Sequence, residues 1–187
     1  MHPRIPRQPA RDLDLRHRVD DDARIGAELA AVVAGARRRA VRDGDRQIDT
    51  AHLLHSLLES DPDVRAVFGG PARIARLLGY LVQRSIGYGL RWQGSVEDSG
   101  PVPAVTGAEG CSGRVPAVAD AEGFSPLAGG ALECACAWAA GRGERARGVD
   151  LLAAIVADPD ARAVQVLSAA GVDVRDVLAS LVPGGGE

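Results

Sequence analysis

A chain of 187 residues is long enough for one domain with a buried core. Its net charge of −3 argues against a nucleic-acid or anionic-membrane partner, and its 3% aromatic content leaves Ala, Val, Leu and Ile to build the core, which favours close-packed helices. All 22 basic residues are arginine, so neither the lysine of a P-loop nor a Schiff-base lysine is available.

Residues 1–22 read as a disordered tail, because Pro3, Pro6 and Pro9 alternate with arginines and Asp20-Asp21-Asp22 follows. A first helix is expected from Ala23 to Arg42, capped by Asp22, with Ile25, Leu29, Val32, Val33, Ala36 and Ala40 on one face. Arg37, Arg38, Arg39 and Arg42 gather near its end, where the helix dipole favours cations. They read as a solvated face rather than a phosphate site. Asp43-Gly44-Asp45 turns the chain. Asp49 or Thr50 then caps a helix to about Ser60, whose Leu53, Leu54, Leu57 and Leu58 recur at helical period. Asp61-Pro62 is an N-cap followed by proline at the first helical position, which predicts a short helix to Phe68. Gly69-Gly70 ends it. Pro71 opens a fourth helix with Ile74, Leu77, Leu78, Leu81 and Val82 inward.

Periodicity fails over residues 87–123, which read as an inter-repeat linker. Tyr88 and Trp92 near its start are expected to pack on the first half, and Cys111 is an oxidisable thiol. Ser125-Pro126 restarts the pattern, with Leu127, Ala128, Ala131, Leu132, Ala135 and Ala139 on one face. The Gly148–Val156 stretch is a weaker copy of the Leu-Leu helix. Asp158-Pro159 is expected to cap a seventh helix ending near Gly171, and Asp173 an eighth burying Val177, Leu178 and Leu181. Pro183 to Gly186 ends the order. The result is an all-α chain of about eight helices, written as one four-helix unit twice.

That ordered duplication carries a resemblance. Thr50-x-His52-Leu53-Leu54 resembles the "T-E-H-L-L" signature of the Clp N-terminal (Clp repeat) domain, found in front of the ATPase modules of Clp-type unfoldases. Phe124-Ser125-Pro126-x-Ala128 resembles the family's "F-T-P-x-A" opening, and Leu167 to Asp173 its "L-x-x-x-G-V-D" step. The resemblance covers roughly Arg24 to Leu181, apart from the middle. It implies a single domain over residues 23–182 with pseudo-two-fold symmetry, comprising repeat one at 23–86, the linker at 87–123 and repeat two at 124–182. Residues 183–187 would be a tail.

The resemblance also implies a function. The expectation is a stand-alone, non-catalytic module that binds a peptide, protein substrate, adaptor or Clp unfoldase partner in a groove between the halves. Ile25, Glu28, Phe124, Ser125 and Glu133 would face the ligand, and Thr50, His52, Leu53 and Leu54 would form the structural motif. The family's phosphoarginine contact uses the Glu of each "T-E-H". Ala51 and Val149 stand there, so phosphoarginine binding is expected to be lost. The alternative is a decoy for a cyclic-peptide antibiotic, motivated by Phe124 and Glu133, although Gly129 replaces the family's lysine between them.

The remaining chemistry is sparse. His52 and His55 are three apart, with no further ligand at convincing spacing, so no metal or other cofactor is expected. Cys134 and Cys136 point opposite ways on a helix and read as small core residues. Three cysteines make no disulfide framework, and no apolar run reaches the roughly 20 residues of a membrane span. With no signal-peptide core at the N-terminus, a cytoplasmic bacterial setting is expected.

Overall fold

The computed structural model describes residues 25–85, 97 and 123–181. Among them are eight helices and no strand. They are α1 (Ala27–Asp43), α2 (Thr50–Ser60), α3 (Pro62–Val67), α4 (Pro71–Ser85), α5 (Pro126–Gly141), α6 (Gly148–Val156), α7 (Arg162–Ala169) and α8 (Val174–Leu181). The all-α expectation therefore holds. The expected tails, Tyr88, Trp92 and Cys111 lie outside the described residues.

Local chemistry explains most of the boundaries. Asp49 caps α2, accepting from the backbone N–H of His52 at 2.9 Å. Asp61 caps α3, accepting from Val64 N at 3.0 Å, with Pro62 at the first helical position. Ser125 caps α5 through Ala128 N at 3.1 Å, again ahead of a proline. Asp173 accepts from Arg175 N at 2.8 Å at the start of α8. The turn after α1 needs Gly44, whose φ of 74° lies in the left-handed region.

Three expectations are corrected. The first helix starts at Ala27, with Gly26 rather than Asp22 as N-cap, because Ile25 and Gly26 are extended and pair with Ala146 instead. Val82 is 47% exposed rather than inward. Asp158 does not cap α7: its carboxylate accepts from Asp160 N at 2.9 Å in a turn, and the N-cap is Ala161.

The core is one cluster spanning both halves, with Leu29, Leu53, Leu54, Leu57, Leu77, Leu151, Leu152, Ile155 and Leu167 fully buried. α2 and α6, the two Leu-Leu helices, lie at its centre. α2 packs on α1, α3, α4, α5 and α7, and α6 on α1, α3, α5, α7 and α8; α2 and α6 also touch each other. Small residues allow these approaches. Ala36, Ala51, Ala128, Ala135 and Ala139 are all buried, and a Cβ on Gly35 would run into Ser56. No described helix is long and apolar enough to cross a membrane.

Candidate functional site

Two isolated parallel bridges join the halves. Ile25, ahead of α1, pairs with Ala146, ahead of α6, and Gly26 N donates to Ala146 O at 3.1 Å. Ile48, ahead of α2, pairs with Phe124, ahead of α5, and Ser125 N donates to Ile48 O at 2.9 Å. Each expected groove residue at a helix opening is thus attached to the other half. Ile25 is half-buried, whereas Phe124 is only 8% exposed and belongs to the core. Glu28 is exposed on α1 and Glu133 half-buried on α5. Ala51 is fully buried and Val149 half-buried, so neither position offers a carboxylate.

Next to the Ile48–Phe124 bridge lies a buried polar network. Its hub is Glu97, a linker residue only 5% exposed. Glu97 Oε2 accepts from Thr50 N at 2.9 Å and from Ser125 Oγ at 2.7 Å. Its Oε1 accepts from Arg162 N at 2.7 Å and from the Thr50 hydroxyl. Thr50 Oγ1 in turn accepts from Ala163 N at 3.1 Å. The carboxylate thereby satisfies donors at the N-termini of α2 and α7 and on the cap residue of α5, where helix dipoles favour negative charge. Arg162, itself buried, sends Nη1 to Asp49 Oδ2 at 2.8 Å. Ser125 is therefore an internal linchpin, 1% exposed, and not a groove-facing hydroxyl.

The motif residues are all interior: Thr50, Leu53 and Leu54 are fully buried and His52 is 2% exposed. The His52 ring closes a capping box, with Nδ1 accepting from Asp49 N at 3.2 Å. His55 lies on another side of α2, its Nε2 3.5 Å from Glu59. Desolvation by burial, and then the Arg39 guanidinium, push its pKa down from the ordinary range to about 4, against the opposing pull of Glu59.

Sequence reasoning missed Glu97, Arg162 and Asp150. Glu97 sits in an aperiodic stretch, and Arg162 has no local partner, so neither leaves a pattern. Asp150 was legible as the third residue of its helix: its Oδ2 accepts from Arg147 N at 2.9 Å, and its Oδ1 meets Arg142 at 2.7 Å. In comparisons with known proteins, no family model and no curated protein matches this chain.

Proposed function

We propose that this domain is a non-catalytic recognition module of the Clp N-terminal type, two four-helix repeats related by a pseudo-two-fold axis. It binds a peptide, protein substrate, adaptor or Clp unfoldase partner where the two halves open. The reciprocity of the bridges supports this reading most. Ile25 opens the first repeat and pairs just ahead of the second repeat's Leu-Leu helix; Phe124 opens the second and pairs just ahead of the first's. Exchanging the halves turns one pairing into the other, as a duplicated unit closed on itself requires. The function itself rests on the likeness of fold and motif.

The ligand face would be carried by Glu28 and Glu133, the first-helix carboxylates that are at least partly accessible. Without carboxylates at positions 51 and 149, arginine phosphate is not the ligand. The cyclic-peptide alternative needs Phe124 to meet its ligand, and that ring would first have to leave the core. A protein segment is therefore the ligand we favour.

The test is competition. Excess protein added to a Clp unfoldase–protease degrading an adaptor-dependent substrate should slow degradation, and Glu28→Arg with Glu133→Arg should relieve the inhibition. Unchanged degradation at saturating protein would sink the reading.

A further inference from the structure

α4 carries two apolar faces. Ile74, Leu77 and Leu81 are buried, and the helix packs on α2 and α7. A second set, Pro71, Ala75, Leu78 and Val82, recurs at i, i+4, i+7 and i+11 and so shares one stripe. Pro71 and Ala75 are exposed, Leu78 is half-buried and Val82 is 47% exposed. One exposed valine by itself needs no explanation. This one ends a stripe that begins in a hollow. The hollow, of about 540 Å³ and mostly apolar, opens at the corner of α3 and α4 and is lined by Pro62, Arg65, Ala66, Pro71 and Ile74.

Gly79 adds a second observation. A Cβ there would meet nothing within 4 Å, so no packing inside the described chain requires glycine. Glycine in a helix interior nevertheless costs about 1 kcal/mol relative to alanine. A helix crossing over Ala75 and Gly79 gains a closer approach from these small residues. The charges are one-sided as well. Arg65 lines the hollow, and Arg73 and Arg76 are exposed on α4, which contains no Asp or Glu. Among the described residues none of these three arginines has an ion-pair partner. The whole chain carries −3, so this basic corner runs against the general charge.

We propose that the hollow and the outer stripe of α4 dock an amphipathic helix of a partner protein whose apolar face is flanked by Asp or Glu. Its apolar side chains fill the hollow and pack along Ala75, Leu78 and Val82, and its carboxylates meet Arg65, Arg73 and Arg76. The 15 residues of α4 span about 22 Å, close to the length of a two-heptad helix. A second copy of this chain is the poorer occupant, because symmetric pairing of α4 with itself sets arginine against arginine. Glu28 and Glu133 lie on α1 and α5, so this surface is separate from the ligand face proposed above and does not depend on it.

The probe is a fluorescein-labelled two-heptad peptide with leucine at a and d and glutamate and alanine elsewhere. Its twin carries lysine for every glutamate. Fluorescence anisotropy with the full chain should show saturable binding of the acidic peptide that weakens with added NaCl, and no binding of the lysine peptide at the same concentrations. Val82→Glu should weaken binding at least about tenfold, and so should Arg65→Glu combined with Arg76→Glu. Val41→Glu, the same change at the exposed valine of α1, should leave it unchanged. Circular dichroism checks that the variants keep their helices. No binding of the acidic peptide overturns the proposal. Equal binding of both peptides, or wild-type affinity in Val82→Glu, does so too. A dimer in sedimentation that Val82→Glu abolishes would also overturn it, by assigning the face to a second copy of the chain.

Discussion

Arg162 Nη1 lies 2.8 Å from Asp49 Oδ2, across 113 residues of chain, with both side chains nearly excluded from water. The pair links the start of α7 to the cap of α2, so one ion pair joins the second half of the chain to the first. Removing one partner leaves a buried charge uncompensated. Arg162→Met should cost about 3–5 kcal/mol. Urea denaturation of Arg162→Met, Asp49→Asn and the double variant measures it, with the double costing less than the sum of the singles. Strict additivity would show that the two side chains do not interact.

Glu97 gathers four donors into one buried carboxylate. Glu97→Ala strands backbone N–H groups of α2 and α7 together with two hydroxyls. A loss of about 3 kcal/mol is expected, since each orphaned buried group costs about 1–3 kcal/mol and the hydroxyls can turn to other acceptors. Amide hydrogen exchange provides the local readout: the Thr50 and Arg162 amides should lose protection before the centre of α6 does. Equal loss everywhere would indicate that Glu97 does not hold these termini.

His55 predicts a pH dependence. Its pKa is about 4 when folded, against 6.5 for the ordinary side chain, so the unfolded chain binds the proton more readily. More protons bound by the unfolded state means stability that rises with pH. The contribution is present in full above about pH 6.5 and is lost as pH falls toward 4. His55→Gln removes that component, so urea midpoints of the two proteins should converge as pH drops from 7.5 to 4.5. A constant difference across this range would refute the assignment.

Gly148 opens α6 where Thr50 opens α2. A Cβ at Gly148 would come within 2.9 Å of both Asp61 Cγ and Leu57 Cδ2. Asp61 is buried and already occupied in capping α3, so it has little freedom to withdraw. Gly148→Ala should therefore destabilise by about 1–3 kcal/mol, although alanine is the better helix former. Gly130→Ala, on α5 with open space at its Cβ, is the control and should be neutral or slightly stabilising in thermal denaturation.

The sequence by itself determined the helices and most of their starts. Leu53, Leu54, Leu57 and Leu58 mark a buried face through spacing alone, and Asp49, Asp61 and Ser125 cap within three residues of themselves. Such bonds are local, so residue order reveals them. The tertiary structure decided what spans longer distances. The first amides of α7 go to Glu97 and Thr50, 65 and 113 residues away, so Asp158 is left to serve its own turn. Phe124 and Ser125 read as groove residues by motif, but the pairing with Ile48 and the bond to Glu97 draw them inside. Asp45 meets His52 because Gly44 folds the chain back over the start of α2. A side chain's partner across the core depends on how helices pack, and packing leaves no period in the chain that forms it.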